Sequence, residues 1–424
     1  MKNMGPGKVF SSGCNTPALR RILMPIKKIS SDALEIGMYV SNLDRPWTET
    51  PFMFQGFELH SQQDIDELRR HARNVYVIVP DEEIELTKRP SDHADSSVRP
   101  DILHQVSYNK PVHIDKEIKR AKPDHKKFTH LFKELESHIR SKGTLPFEMV
   151  EQPARKLVDS VTSNPDAYIW LTRLRKFDSF LYKDALTAAV WATALGRKLG
   201  LSEQQLHNLA IGCLLMDVGK MCLPEELLHK KQRLGDDEWE QMKSHVDLGV
   251  KLLSQSANYP AGVIQIVQTH HERLNGGGYP SGLEGSRIPL FGQIAGLVDQ
   301  YVAVTSPRPY AQVLSPSKAE EMLYKQRGRL FDEMLVEYFI QALSTYPTGS
   351  LVELSSGEVG IVKAQKSGHN LRPDVILLLN PEKQPYGSYT LVSLDNYNIN
   401  NQAVNIRRTL ADGDYGITIE TLSL

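Results

Sequence analysis

Five residues in the middle of the chain are of the types that hold divalent metals: Asp217, His245, the adjacent pair His270 and His271, and Asp299. Lys220 stands among them. Imidazole and carboxylate together suit Fe, Mn, Zn and similar divalent ions, and one carboxylate can bridge two of them. Ions paired about 3.5–4 Å apart activate water and clamp the attacking and leaving oxygens of a phosphoryl transfer. A lysine one helical turn after Asp217 would offset charge developing on a phosphate. Taken singly, these residues have plainer readings. Asp217 and Lys220 are spaced for an i,i+3 ion pair, and His245, in "MKSH", reads as a solvated histidine. A role in merely filling a helical core is disfavoured, because such a core has no need of adjacent histidines together with Asp217 and His245. The histidine pair opens "HHERLNGGGYPSGLEG" (270–285), half of a metal site running into a tight loop. Upstream, "LLMDVGK" sets Met216 before Asp217, where a histidine would help complete the site.

Helices must carry most of these side chains. From about 128 onward the pattern is helical: Phe128, Leu131, Phe132, Leu135 and Ile139 form an i, i+3, i+4, i+7 stripe. "ALTAAVWATALGRKLGLS" and "VIQIVQTHHERL" repeat that period, and the methionines and aromatics along the stripes read as core. This predicts a helical domain over 126–345. Residues 24–80 predict a small α/β domain. There "GMYVSNL" (37–43) and "NVYVIVP" (74–80) have strand character, with the Ser-capped helical stretch "SQQDIDELRRHA" (61–72) between them. Residues 81–125 are charge-dense and punctuated by Pro90, Pro100, Pro111 and Pro123, which reads as a linker. Histidines 93, 104, 113, 125 and 130 are scattered without ligand spacing, so they read as solvated linker residues. From 346 to 424, "GSLVELSSGEVGIVKA" and "PDVILLLN" alternate like short strands between glycine turns, predicting a β-rich extension.

Composition narrows the class. A chain of 424 residues is too long for one ordinary domain, and its 40% hydrophobic and 24% charged content is that of a globular protein with a sizeable core. Fifty basic against 51 acidic residues leave a formal charge of −1. Bulk electrostatics therefore gives no reason to expect a nucleic-acid polymer or a strongly basic membrane-facing surface. Cys14, Cys213 and Cys222 show no CxxC spacing, so a reducing cytoplasm is the default location. The first 28 residues hold six lysines and arginines and no acid, but their longest apolar run, "ILMPI", is too short for a signal or membrane segment. Residues 1–23 read as a flexible tail, with the ordered protein starting at Met24.

The order of the motifs is more specific than any single residue. "HHERLNGGGYPSGLEGSRIPLFGQIAGLVDQYVAVTSPRPY" (270–310) resembles the signature of the HD-GYP family. That family comprises helical HD-superfamily domains that hydrolyse cyclic di-GMP at a centre of two or three metals. The likeness extends upstream through "DVGKMCLPEELLHKKQRLGDDEWEQMKSHVDLGVKLL" (217–253) and covers about 180–345. The 24–80 unit resembles the domain of unknown function that often precedes HD-GYP domains, and the β-rich tail resembles the extension that follows them. The resemblance implies a mainly α protein: an HD-superfamily bundle with a small N-terminal α/β domain and a C-terminal β-rich extension.

Residue by residue, the resemblance implies metal ligands at Asp217, His245, His270, His271 and Asp299, and a catalytic lysine at Lys220. It also implies substrate contacts from Tyr279 and Arg308, and an interaction loop at Gly278, Tyr279 and Pro280 that meets diguanylate cyclase-type partners. The departures lie on the other side of the site. Met216 replaces the HD histidine, and its soft thioether is a poor ligand for hard divalent ions. Asp184 replaces an early histidine and can still ligate through oxygen, while Phe180 stands where some trinuclear members carry a glutamate. Asn275 and Val302 replace acids, Lys230-Lys231-Gln232 replaces "KPG", and Ala311 replaces the lysine after "RPY". The expectation is one metal, Fe, Mn or similar, rather than two or three. It would sit in an intact pocket of Asp217, His245, His270 and His271, beside a crippled one of Asp184, Asp217 and Asp299. Such a protein of cyclic di-GMP signalling would be a weak or inactive phosphodiesterase acting by nucleotide binding or protein interaction. The alternative is an active metal-dependent phosphodiesterase giving pGpG or GMP.

Overall fold

Val40, Leu43, Val75 and Val77 supply the buried face of the first sheet. The computed structural model describes residues 26–44, 57–59, 62–78, 105–108, 112–174, 180–228, 230, 232–306, 313–344, 346–365, 372–400, 402–419 and 422. They fall into two units, divided between Pro90 and Ser91. In the first, strands β1 (Ile26–Ser30), β2 (Tyr39–Leu43), β3 (Phe57–Glu58) and β4 (Asn74–Ile78) form an antiparallel sheet in the order β1-β4-β2-β3. A register shift between Val40 and Asn42 lets both Val40 and Leu43 turn inward. Helix α1 (Gln62–His71) buries Ile65 and Leu68. Strand β1, "IKKIS", escapes a pattern reading because it is an exposed edge whose Lys27 and Lys28 break the apolar alternation. The segment read as a flexible tail lies outside the described residues.

The second unit opens with a helix where the sequence suggested a linker. Helix α2 (Ile114–Lys142) starts inside the charge-dense stretch, with the His113 side chain accepting from the Asp115 amide. Its inward stripe runs through Ile114, Glu117, Ala121, His125, Phe128, Leu131, Phe132, Leu135 and Ile139; before Phe128 only Ile114 and Ala121 of it are apolar, and charged residues cover most of the remaining surface up to Lys127. That half-polar buried face is why the start of the helix reads as linker. His125 corrects the reading of these histidines as solvated: it is buried, edge-on to Tyr168 at 5.4 Å. His113 and His130 are exposed as expected, while His93 and His104 lie outside the described residues.

The bundle continues through α3 (Glu148–Ser163), α4 (Pro165–Arg173), α5 (Phe180–Lys198) and α6 (Glu203–Leu215). It closes with α7 (Asp236–Lys243), α8 (His245–Ser254), α9 (Ala261–Thr269), α10 (Leu290–Thr305), α11 (Pro316–Gln326) and α12 (Glu333–Leu343). Helix α6 buries Leu206, His207, Leu209, Ala210, Ile211, Cys213 and Leu214, so it lies inside the bundle, between α5 and α9. Among the described residues no helix is long and apolar enough to cross a membrane.

Among the described residues seven further strands run from β5 (Leu351–Leu354), β6 (Val359–Ala364), β7 (Asp374–Leu379) and β8 (Pro385–Ser393) through the short hairpin β9 (Asn398–Ile399) and β10 (Gln402–Ala403) to β11 (Ile406–Leu410). Five of them form an antiparallel sheet in the order β11-β5-β6-β7-β8. Leu351, Val359, Ile361 and Leu378 pack on Trp170 of α4, and Val352, Leu354, Val362 and Val375 meet Leu394 and Val404 on the other face. Burial on both faces explains why β5 to β7 are nearly continuous apolar runs rather than strict alternations. Thr348 donates to the half-buried Asp166 carboxylate at 2.8 Å, fastening the sheet to the start of α4.

One buried group works against stability. Neither carboxyl oxygen of Glu320, on α11, has a hydrogen-bond partner among the described residues, and desolvation raises its pKa well above the usual carboxylate range. The native state therefore keeps a proton that the unfolded chain gives up above about pH 4.3. As pH rises above that value, stability should fall by about 1.4 kcal/mol per pH unit until the buried carboxyl ionises. Glu320→Gln should therefore melt at the same temperature as the unmodified chain near pH 4 and higher at pH 7. Equal melting at pH 7 would contradict this account of Glu320.

Candidate metal centre

Close backbone crossings bring the metal-binding residue types together. Helix α6 ends at Leu215, and Met216 and Asp217 lead into a 3-10 turn, Val218–Cys222. A Cβ on Gly219 would lie 1.9 Å from the His245 carbonyl oxygen and 2.6 Å from the Gly249 amide, so only glycine lets this turn touch α8. That contact places Asp217 against His245, the first residue of α8. His270 caps the C-terminus of α9 and His271 follows it. A Cβ on Gly296 would come within 2.4 Å of the His270 carbonyl oxygen, and the same crossing carries Asp299 of α10 to His271.

The ligand atoms of Asp217, His245, His270 and His271 lie within 4.8 Å of one another, the group of this kind found among the described residues. His245 Nδ1 is 2.7 Å from the Met242 carbonyl oxygen, and His270 Nδ1 is 2.9 Å from that of Val267. A carbonyl only accepts, so both Nδ1 atoms carry a proton, which leaves Nε2 as the atom through which each ring would ligate. Those Nε2 atoms stand 3.2 Å and 3.7 Å from Asp217 Oδ1. All three are buried and none has an aligned hydrogen bond. Three electron-rich atoms converging without a donor between them fit a divalent cation, which would supply Lewis-acid polarisation of a phosphate oxygen.

The electrostatics support the same set. Burial opposes ionisation of Asp217, yet the Lys220 ammonium beside it holds its carboxyl well below the usual range. Burial, helped by neighbouring His270, pushes His271 well below the usual imidazole value, which keeps it neutral as a ligand must be. Lys220 Nζ is 2.8 Å from Asp217 Oδ2, so the i,i+3 ion pair does form, on the oxygen turned away from the histidines. His245, by contrast, is fully buried, which corrects its reading as a solvated residue.

The other candidate residues are spread around this centre. Asp299 Oδ2 reaches His271 Nδ1 at 3.8 Å. Asp184 lies on α5, partly buried, and neither aspartate belongs to the mutual group of four. Phe180 begins α5, and Met216 is 2% exposed. Tyr279 lays its ring beside His271, with centroids 4.5 Å apart. A Cβ on Gly278 would meet the His271 carbonyl oxygen and the Arg273 amide at 2.5 Å, so this loop glycine cannot be replaced without moving the backbone. Pro280 is exposed beside it. Arg308 and Ala311 lie outside the described residues.

Sequence reasoning missed the part played by Glu272. Its buried carboxylate turns away from the ligand group and accepts the amides of Ser281 and Leu283 at 2.8 Å and 2.9 Å, tying the glycine-rich loop to the histidine pair. An acid directly before a loop rich in unpaired amides is the signal that points to such a clamp.

Residues 170–335 match the HD domain family, and residues 26–150 match a domain of unknown function, DUF3391. The cyclic di-GMP phosphodiesterase PA4108 of Pseudomonas aeruginosa is 28% identical over 351 residues, 82% of this chain and 84% of that protein. The cyclic di-GMP phosphodiesterase response regulator RpfG of Xanthomonas campestris pv. campestris is 38% identical over 168 residues, 38% of this chain and 44% of that protein. A 3'3'-cGAMP-specific phosphodiesterase 2 of Vibrio cholerae is 34% identical over 154 residues, 36% of this chain and 30% of that protein. The chain thus spans most of the Pseudomonas relative and less than half of the other two.

Proposed function

The chain belongs to the HD-GYP family, and we propose that it is a one-metal member, weak or inactive as a phosphodiesterase, that binds cyclic di-GMP. The observation that carries this reading is the division of labour on Asp217. Its Oδ1 faces two imidazole lone pairs, while Oδ2 is held by the Lys220 ammonium at 2.8 Å. A second ion bridged by this carboxylate would have to compete with Lys220 for that oxygen. It would also have to do without an imidazole at Met216, whose thioether is a poor donor to hard ions. In this reading the metal is held by Asp217, His245, His270 and His271, and Lys220 and Tyr279 meet the nucleotide at the rim. Arg308 adds a further contact, and the loop of Gly278, Tyr279 and Pro280 serves as the face offered to diguanylate cyclase-type partners.

The names of the relatives support cyclic dinucleotides as the ligand class. The free thiols at Cys213 and Cys222 fit the cytoplasm, where that signalling would take place. A second reading, an active phosphodiesterase giving pGpG or GMP, is favoured by Asp299 standing 3.8 Å from His271, with Asp184 as a further oxygen donor. Titration of the Mn-loaded full chain with cyclic di-GMP, followed by chromatography of the nucleotide, separates the two. The expected result is saturable binding with turnover far below that of an intact family member. Family-level turnover would move the conclusion to the second reading, and an absence of binding would remove both.

A further inference from the structure

Helix α7 has no buried residue, yet it carries a tryptophan. Trp239 is 46% exposed, whereas Trp170 and Trp191 are at most 3% exposed in the core. Packing therefore does not account for an indole at this position, and leaving so large an apolar surface in water is unfavourable. Its ring stands edge-to-face with Tyr279, centroids 6.1 Å apart and planes at 79°. Tyr279 in turn lies 4.5 Å from His271 and 6.4 Å from His245. An aromatic series thus leads from the surface to the metal centre. Lys243, one turn along α7, holds its ammonium 5.9 Å from the Tyr279 centroid. The start of α7 is fixed by Glu238, which accepts the Gly235 amide and pairs with Lys230 at 2.6 Å, so the indole is carried on an anchored element.

We propose that Trp239 and Tyr279 form the corner in which a purine base of the cyclic dinucleotide stacks, making Trp239 a base-binding residue at the mouth of the centre. This rests on the nucleotide-binding reading above. Two rings near a right angle let a flat base lie on one plane and set its edge against the other. Lys243 then stands where it favours the ring's other phosphodiester, which shares that nucleoside's ribose with the diester at the metal. Stacking accepts any purine, so the corner provides affinity for the base while the metal and Lys220 engage the phosphate. Guanine and adenine would both be admitted.

Calorimetry on the Mn-loaded full chain tests this with two probes, cyclic di-GMP and inorganic phosphate. Trp239→Ala should weaken cyclic di-GMP binding about ten- to a hundredfold, while phosphate affinity, metal content and melting temperature stay as in the unmodified chain. Trp239→Phe, which keeps a stacking face, should retain most of the affinity. Cyclic di-GMP affinity unchanged in Trp239→Ala would overturn the stacking corner, as would an equal loss for phosphate or a Trp239→Phe variant as weak as alanine. An unmodified chain that binds no cyclic di-GMP would instead overturn the functional reading on which the corner depends.

Discussion

Replacing His270 by alanine is expected to strip the centre of its metal. Losing a group that only orients a ligand typically costs about 10–100-fold in affinity, and His270 is itself placed to ligate, so its removal should cost more than a hundredfold. Its geometry leaves little room for compensation. Nδ1 is committed to the Val267 carbonyl, Nε2 points at Asp217 Oδ1, and the ring is fully buried, so no neighbouring side chain can swing in to replace it. Elemental analysis of the variant after Mn loading and desalting should find almost none. The same variant should keep its far-ultraviolet spectrum, because the four-residue cluster is a small part of a bundle whose core lies along α2, α5 and α6. If the unmodified protein also held no metal and matched the variant, these residues would be doing no more than filling space.

The second large effect runs the other way. Met216→His combined with Asp184→His is expected to raise both metal content and cyclic di-GMP turnover, the latter by about tenfold or more. The reasoning concerns donors: a buried thioether contributes little to a hard ion, whereas an imidazole next to Asp217 gives a second ion the nitrogen it lacks. Lys220 should then yield Asp217 Oδ2, since a divalent ion competes with an ammonium for that oxygen. Each single variant should give less than the pair, because one added nitrogen still leaves the second ion with few donors. If the double variant folded, as judged by its melting curve, and gained neither metal nor turnover, the pocket would differ from an active one beyond these two ligands.

Much of the centre was legible in the sequence because its ligands sit at helix ends and turns marked by short motifs. "MKSH" opens α8, the histidine pair ends α9, and "DVGK" supplies both Asp217 and the glycine that lets the turn touch α8. The ordered motifs were specific enough to point to the family, and the helical bundle, with strand-forming segments before and after it in the sequence, followed from periodicity. Other features were hidden for identifiable physical reasons. The start of α2 was obscured because the buried face of its first half includes Glu117 and His125, and charged residues cover most of the rest. His125 was misread for the same reason: a histidine amid lysines looks solvated until the helix beneath it is recognised. The clamp by Glu272 and the ring contact between Trp239 and Tyr279 join residues whose pairing depends on loop geometry, and no periodicity records it.

The central claim, that one metal is held by Asp217, His245, His270 and His271, is tested most directly by counting. Mn- or Fe-loaded protein, freed of loose metal and analysed for metal and protein together, should carry one ion per chain. Two ions per chain would contradict the account, because the second could be held only by the side of the site that Met216 and the Lys220 pairing are argued to close.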